Sequence, residues 1–511
     1  MNTSTRPIAE ASDAATSERS SADREPVQPP MGGPTGTTAP APRRRRPAGR
    51  TVVVALVVLA AAVAAALATS SWPVPQQVVC VVFAAATATW MLSRLDDTLV
   101  ALLAALALVV AGVMPSADLF ASLGDSTVWL LIGACMLAAG LAASGIVERL
   151  AARLVGGARS VRGLAHRTTL ALCMTAFAVP ATSGRAALAL PLFRVLGAAL
   201  PTPTLQRGFS LLFPAVVLLS AFASILGAGA HVIAAELIHA ATGVRISFLL
   251  WLACGVPVAF VTAHIAAEVV LSVVFSRADR RADVAPIVRA VAAASPRGRM
   301  TAGEWRALGL LLAVVAGWLT EPFHSLPPAV VALIGAVVAV APGIGVATPQ
   351  AALAQVPWSL LLFLAATLAI GSAVIETGTA DALADVLLTP LAAAAPVVAL
   401  LAIIAFSAFA HLLIQSRSAR SSVLVPIVLA VAPAAGLDPA SAALASTAAA
   451  GFCLTLTSSA KPVAMFSDVD GVATFSRGQL AAFSLVLAPY VIGAVLVAAV
   501  FWWPLLGIPV T

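Results

Sequence analysis

The chain has 511 residues, of which 60% are hydrophobic and only 10% are charged, with a formal net charge of +7. Soluble globular domains carry about 25% charged residues, so this composition excludes an ordinary soluble protein. The arginines lie in an N-terminal tail and a few loops. That distribution is typical of the cytoplasmic loops of membrane proteins rather than of a nucleic-acid-binding surface. Apolar runs of about 20 residues predict membrane-spanning helices, and the alternation typical of a transmembrane barrel does not occur.

The first 49 residues are rich in Ser, Thr, Pro, Ala and Arg and end in a run of four arginines, Arg43 to Arg46. Because this composition offers too little apolar surface to offset the entropy of ordering, we expect a disordered tail. The arginines just before the first apolar run favour a cytoplasmic N-terminus. A cleaved twin-arginine signal is the alternative, but no short apolar region followed by a small-residue cleavage site stands out.

The first membrane half is expected to cover residues 50–275. A basic amphipathic stretch from Glu148 to Arg167 is expected to lie along the cytoplasmic surface. Pro180 precedes a polar break in the next apolar run, so residues 168–200 predict a re-entrant hairpin whose tip faces protein or water. The predicted spans of this half are 52–71, 75–93, 97–114, 126–146, 209–240 and 246–275.

The second half follows a basic loop, residues 276–304, and occupies residues 305–511, with a second hairpin near 393–432. Its predicted spans are 305–320, 327–343, 357–378, 438–466 and 478–505. The placement of the arginines gives the two halves opposite orientations in the membrane. The predicted fold is an all-α polytopic membrane protein, with about 11 transmembrane helices plus two re-entrant hairpins in two inverted-topology repeats.

A short pattern occurs once in each hairpin, at a constant offset of 235 residues from Ser183 to Ser418. Arg185 recurs as Arg420 at the same offset, and Pro191 recurs as Pro426. A polar, arginine-bearing break at matching points of two apolar halves predicts the binding site of a transporter that works by alternating access.

Arginine at membrane depth costs from about 3 to over 10 kcal/mol, so it persists by facing a cavity, by pairing or by serving function. Guanidinium groups suit carboxylate, sulfate or phosphate, which predicts an anion site. The predicted substrate-binding residues lie at the two tips and at a later break before Pro462: Thr182, Ser183, Gly184, Arg185, Ser416, Arg417, Ser418, Arg420, Ser459 and Lys461. The alternatives are that an arginine pairs with a buried carboxylate or reaches an interface, and that the hydroxyls bond to the preceding helical turn.

His231 and Glu236 follow a glycine-containing stretch that suggests a matching break in the first half. Histidine and carboxylate can relay protons, so these two residues are the candidates for proton coupling; balancing a site arginine is the alternative. The five cysteines lie in apolar stretches without metal-binding spacing, and no ATPase phosphate-binding motif occurs. We therefore expect neither a metal site nor a cofactor.

These motifs resemble the divalent anion/sodium symporter family of the ion transporter superfamily, from about residue 95 to the C-terminus. The resemblance rests on the hairpin trios Ala181-Thr182-Ser183 and Ser416-Arg417-Ser418, each followed by an apolar run that ends in proline. Trp129–Gly133, Ser247–Trp251 and Trp318–Pro322 match in the right order. The resemblance implies an elevator-type motion, a homodimer and a small anionic substrate, such as a dicarboxylate, sulfate or another oxyanion.

The departures from that family concern the coupling ion. The family's trios and nearby carbonyls hold sodium and substrate, but neither family asparagine is present, and Arg185, Arg420 and Lys461 add fixed cations. Like charges a few Å apart in a low dielectric repel by several kcal/mol, so we predict secondary transport that is proton-coupled, exchanging or uncoupled rather than sodium-coupled.

Two alternatives to this function stay open. One is an efflux permease for arsenite-like or organic anions. The other is a membrane enzyme that clamps phosphate with the arginines, with Glu236 or Asp468 as acid or base. No recognisable catalytic constellation accompanies those residues, so we expect that the protein is not an enzyme.

Overall fold

A computed structural model describes residues 48–511, except residues 94, 296–297, 380–381 and 383–394. The predicted disordered tail therefore lies outside the described residues up to residue 47. The first residues of the predicted second hairpin, 393–394, also lie outside them. Within the described part of the chain every regular element is a helix and no strand occurs.

The helices of the first half follow the predicted spans. They are α1 Ala48–Ala68, α2 Val74–Leu92, α3 Asp97–Val110, α4 Ser116–Ala121, α5 Ser126–Ser144, α6 Ile146–Gly156, α7 Val161–Met174, α8 Thr182–Ala199, α9 Pro203–Leu219, α10 Gly229–Thr242 and α11 Phe248–Val269. The predicted span 209–240 is broken between α9 and α10 by two 3₁₀ turns, Ser220–Ala223 and Ile225–Gly227.

The described residues of the second half are also helical in all their regular elements. Its helices, with two short ones from the basic loop, are α12 Arg277–Arg280, α13 Ala285–Ala294, α14 Ala302–Leu319, α15 Glu321–His324, α16 Pro328–Val340, α17 Pro349–Ala354, α18 Trp358–Glu376, α19 Pro396–Phe409, α20 Arg417–Val431, α21 Pro439–Ala449, α22 Lys461–Ser467 and α23 Arg477–Val497. The second broken element is thus α21 and α22, separated by residues 450–460.

Seven helical stretches of the described residues are long and apolar enough to cross a membrane. They are Val74–Leu92, Ser116–Ser144, Pro203–Ala223, Phe248–Val274, Ala302–Leu319, Trp358–Glu376 and Arg477–Leu506. Shorter apolar helices, including α3, α16 and α19, accompany them.

The basic stretch divides differently from the prediction. Gly157 ends α6, and the Ser160 hydroxyl accepts a hydrogen bond from the Gly163 amide (3.1 Å), which begins a new helix at Val161. Serine is a favoured helix N-cap because it satisfies such an orphan donor. Only α6 therefore forms a separate amphipathic helix, and the first hairpin arm starts at Val161 rather than near residue 168.

We group the helices into two sets, which are in contact where α18 packs on α10. We call α2, α3, α5, α14, α16 and α18 the frame, and the hairpins, broken helices and long helices α7–α11 and α19–α23 the core bundle. In the frame, α5 packs on α16 and α3 packs on α18. In the core bundle, α10 packs on α20 and α8 packs on α22. Each of these pairs contains one helix from each half, so the frame and the core bundle are both built from both halves of the chain.

A glycine allows the closest approach between frame helices. A Cβ atom on Gly133 of α5 would lie 2.8 Å from the main-chain carbon of Ala332 on α16. No side chain fits at that distance, so glycine is required for this crossing.

Asp279 ties the start of the basic loop to the start of α9. Its carboxylate accepts hydrogen bonds from the Ser276 hydroxyl (2.7 Å) and the Thr202 hydroxyl (2.9 Å). Burial alone would raise the pKa of Asp279, but the hydrogen bonds from Ser276 and Thr202 lower it below its usual value. Because the folded pKa is depressed, the stabilisation is present above the unfolded pKa and is lost as the pH falls through the folded pKa.

We expect Asp279→Ala to lower the free energy of unfolding by about 1–2 kcal/mol at neutral pH, since a helix cap and a buried acceptor are lost. Thermal unfolding of both proteins in detergent measures this, and the difference should shrink below pH 3.8. Asp470→Ala, which removes an exposed carboxylate, is the control. A difference that is equally large at acidic pH would contradict this account.

Candidate functional site

Four helices begin at the two hairpin tips and the two breaks. Helix α8 begins at Thr182, α20 at Arg417, α10 at Gly229 and α22 at Lys461. The residues just before α10 and α22 have nearly the same backbone angles, φ −158° and ψ 147° against φ −157° and ψ 147°. The two breaks are therefore built alike. The starts of the longer helices α8, α10 and α20 also offer unpaired N–H donors that favour an anion.

The tips themselves are shaped by local sequence. Ala181, just before α8, has a φ of +71°, which is rare for a residue other than glycine and marks a tightly constrained turn. In the second tip the Ser416 hydroxyl caps α20 by accepting from the Ala419 amide at 3.3 Å. Neither tip continues the helix before it.

Arg185 is fully buried and bonded only to protein groups. Its Nε donates to the Thr175 hydroxyl (2.9 Å), and Nη1 donates to the Val217 carbonyl (3.0 Å). Its Nη2 donates to the Leu172 carbonyl (3.0 Å) and the Ser220 hydroxyl (2.6 Å). Leu172 and Val217 lie in the last turns of α7 and α9, where the helix dipole gives the carbonyls partial negative charge. Arg185 therefore clamps the first hairpin to the first broken helix.

Arg420 has the corresponding position in the second half. It is also fully buried; its Nη1 donates to the Ile414 carbonyl (3.0 Å), and Nη2 contacts the Ala450 carbonyl and the Cys453 sulfur, both at 2.7 Å. Within the described residues its Nε has no hydrogen-bond partner. Most N–H donors of both guanidinium groups are therefore already hydrogen-bonded to the protein. Direct contact of Arg185 or Arg420 with an anion stays a prediction.

Arg417 joins the second tip to the first broken helix. Its Nη2 lies 3.3 Å from Nε2 of His231, whose Nδ1 lies 3.1 Å from the Ser224 carbonyl. Because a carbonyl only accepts, Nδ1 carries the proton and Nε2 accepts from Arg417. A Cβ on Gly451 would lie 2.9 Å from the same Nη2 and 3.0 Å from the Ala448 carbonyl oxygen, so a larger residue would displace the guanidinium. No described residue bonds to Nη1 of Arg417, although that atom is shielded from solvent.

Lys461 is exposed at the first turn of α22 and lies within electrostatic range of Asp97, a residue that the sequence analysis missed. The Gln415 amide lies 3.5 Å from the Ser458 hydroxyl, which also brings the second tip to this break. The signal that could have found Asp97 is a pair of acidic residues at the start of an apolar span.

The remaining predicted residues have unequal roles. No side-chain hydrogen bond of Thr182 or Ser183 to another described residue occurs, so their hydroxyls are available at the first tip beside Gly184. Ser459 is buried, and its hydroxyl accepts from the Leu456 amide (3.1 Å) to shape the turn before α22.

Glu236 lies apart from His231, about 7.5 Å further along α10 by helical rise. It accepts a hydrogen bond from the Thr127 hydroxyl at the start of α5, so it links the core bundle to the frame. His239 and Arg245 line the same small cavity of about 90 Å³. The two candidates for proton coupling therefore do not form one site.

Positive charge is concentrated around the tips. Arg417 lies within electrostatic range of both Arg185 and Arg420. Among the described residues these three arginines form no ion pair with a carboxylate. The ion pairs present are Arg149–Glu304, Arg162–Glu268 and His166–Glu268. The arrangement favours a ligand that brings negative charge.

Comparisons with known proteins show which family the chain resembles. The sequence profile of the citrate transporter (CitMHS) family matches residues 78–449. The citrate/succinate antiporter of Escherichia coli strain K12 is 26% identical over 330 residues, which are 61% of this chain and 65% of that protein. The match thus spans less than two thirds of that relative. A membrane protein of Cupriavidus necator is 30% identical over 198 residues, 37% of each chain.

The fold is similar to that of a solved transporter. The crystal structure of the YdaH transporter of Alcanivorax borkumensis has a TM-score of 0.50 and 16% identity, and it covers 76% of this chain and 89% of that one. The prediction of an all-α polytopic membrane protein is confirmed. These relatives are transporters rather than enzymes, as expected. The narrower assignment to the divalent anion/sodium symporters stays a prediction. Since the family match covers well over half of the residues, the chain belongs to the citrate transporter family.

Proposed function

We propose that the protein is a secondary transporter that carries small carboxylates, citrate and succinate among them, across the cell membrane by alternating access. The observation that carries this proposal is the group of cations at the tips, Arg185, Arg417 and Arg420, without an ion-paired carboxylate among the described residues. A buried charge without a partner is costly, and a di- or tricarboxylate supplies the opposite charge. The substrate class in the name of the Escherichia coli relative supports this choice over sulfate and arsenite.

In this proposal Arg417 and Lys461 contact the substrate carboxylates. Arg417 has a free Nη1 donor, and Lys461 is exposed beside the same tip. The hydroxyls and main-chain donors of both tips complete the site: Thr182, Ser183, Gly184, Ser416 and Ser418. Ser459 acts by shaping the turn that presents Lys461.

Arg185 and Arg420 replace sodium in this proposal. Each guanidinium group binds carbonyls at the ends of a hairpin arm and a broken helix, the type of group that holds sodium in the symporters that the sequence resembles. A fixed cation satisfies those carbonyls permanently and repels a second cation by several kcal/mol in a low dielectric. Transport then uses exchange or protons, with His231 and Glu236 as the proton-coupling candidates.

The proposed movement is between the core bundle and the frame. The core bundle carries the tips, and we propose that it moves against the frame in an elevator-type motion, with the N-terminus in the cytoplasm. Two copies form a homodimer in this proposal, as the resemblance implies.

The test is uptake of labelled citrate by proteoliposomes that contain the purified protein. We expect uptake to require citrate or succinate inside the vesicles and to be unchanged when sodium is replaced by potassium. Protein-free vesicles are the control, and unlabelled succinate, sulfate, phosphate and arsenite are the competitors. Uptake that requires sodium would overturn the coupling proposal, and competition by sulfate or arsenite but not by succinate would overturn the substrate class.

A further inference from the structure

A cavity of about 130 Å³ lies between the amphipathic helix α6 and the first hairpin. Its walls come from four helices: α6, the two hairpin arms α7 and α8, and α13 from the basic loop. Most of the described residues that line it are Ala, Val, Leu or Pro, and none of the predicted substrate-binding residues is among them. An engineered apolar cavity of about 150 Å³ binds benzene, so the space here suits a ligand with one aromatic ring.

Glu148 is the only charged residue among the described residues that line this cavity, and its Oε2 atom is shielded from solvent. No described residue donates a hydrogen bond to that atom. The Thr175 hydroxyl in the same wall donates instead to the Leu172 carbonyl (2.6 Å). The Ser295 hydroxyl likewise donates to the Val291 carbonyl (2.6 Å). Because a buried carboxylate oxygen without a donor is costly, the cavity favours a ligand that joins an ammonium group to an apolar body.

The cavity lies where a helix attached to the frame meets the core bundle. Arg149, next to Glu148 on α6, is buried and pairs with Glu304 at the start of α14 (2.5 Å). On the hairpin side, the Thr175 hydroxyl accepts from Nε of Arg185 (2.9 Å), so the cavity adjoins the clamp of the first hairpin. A ligand that fills the cavity therefore contacts both a frame-attached helix and the core bundle.

We propose that this cavity binds a small hydrophobic amine, with a primary ammonium group on an apolar body of one ring, and that Glu148 is its counter-ion. A ligand that binds one arrangement of the helices shifts the population towards that arrangement. Bound amine thus holds α6 against both hairpin arms and slows the movement of the core bundle without occupying the citrate site. The binding step is independent of the proposed function, whereas the slowing of transport rests on it.

Thermal unfolding of the purified protein with benzylamine tests the binding step. At neutral pH we expect benzylamine to raise the melting temperature, toluene to raise it less, and methylamine and benzoate to leave it unchanged. Glu148→Gln should lower the affinity for benzylamine at least about tenfold, the factor for one hydrogen bond between charged groups. Glu376→Gln, which removes an exposed carboxylate at the end of α18, is the matched control and should bind benzylamine like the wild type. Equal affinity in Glu148→Gln and the wild type, or an equal shift with toluene, would overturn the inference.

Ala152→Leu tests the cavity without changing any charge. Ala152 lines the cavity from α6, so the larger side chain occupies the space of the ring. We expect the benzylamine-dependent shift to be lost, while the ligand-free variant melts close to the wild type because the added carbons enter a cavity rather than a packed core. An unchanged shift would place benzylamine elsewhere and would overturn the inference.

Citrate exchange in proteoliposomes tests the effect on transport. Benzylamine should lower the maximal rate of exchange severalfold and leave the citrate KM unchanged, in the wild type and Glu376→Gln but not in Glu148→Gln. Methylamine at the same concentration controls for changes in the pH inside the vesicles. A raised KM with an unchanged maximal rate would place benzylamine in the citrate site and would overturn the inference. Absence of citrate exchange in the wild-type protein would instead overturn the proposed function, and the thermal measurements would still decide the binding step.

Discussion

Citrate should raise the melting temperature of the wild-type protein and leave that of the Lys461→Ala variant unchanged. A ligand at 100 times its dissociation constant stabilises the folded state by about 2.7 kcal/mol, which is a readily measured thermal shift. Loss of one partner of a charge pair in a binding site costs roughly 2–5 kcal/mol of affinity, enough to remove that shift at the same citrate concentration. Because Lys461 is exposed, the ligand-free variant should melt close to the wild type.

The matched control for this measurement is Arg477→Ala. Arg477 is also an exposed cation at the first position of a helix, but it lies on α23 and no described contact joins it to the tips. Its citrate-dependent shift should equal that of the wild type. If Lys461→Ala kept the full shift, Lys461 would not be part of the substrate site, and Arg417 alone would be left as the cation of the proposal.

Arg185→Ala and Arg420→Ala should each destabilise the ligand-free protein by about 3–5 kcal/mol, because each change removes several hydrogen bonds from a charged donor to buried acceptors. Arg185→Lys should fall between the wild type and Arg185→Ala, since ammonium keeps the charge but cannot reproduce the planar set of donors to four acceptors. Thermal unfolding in detergent, without citrate, measures the effect.

Arg153→Ala, which removes an exposed arginine on α6, is the control and should change stability little. The result would be different if Arg185 bound substrate directly. In that case Arg185→Ala would melt like the wild type without citrate and would lose only the citrate-dependent shift, which would contradict a clamp between helix ends.

The sequence alone predicted much of the architecture. Apolar runs of membrane-spanning length, separated by polar and proline-containing breaks, located the helices, because an unpaired backbone cannot face lipid. The repeated pattern around Arg185 and Arg420 located the starts of α8 and α20, since arginine at membrane depth is costly and seldom occurs without a role. Helix boundaries were less certain at the basic stretch, where Ser160 caps a new helix that hydropathy does not detect.

Only the tertiary structure decided which partners these residues meet. Hydropathy predicts that a buried arginine needs acceptors, but the carbonyl ends of α7 and α9 come together at Arg185 only when the hairpin packs on the broken helix. The hydrogen bond between Arg417 and His231 likewise depends on packing of one half on the other. The sequence alone therefore predicted which segments can cross the membrane and where the helices are interrupted. Both depend on the local free energy of transfer from water to lipid. The pairing of charges across the site depends on packing between residues hundreds of positions apart, which local composition does not encode.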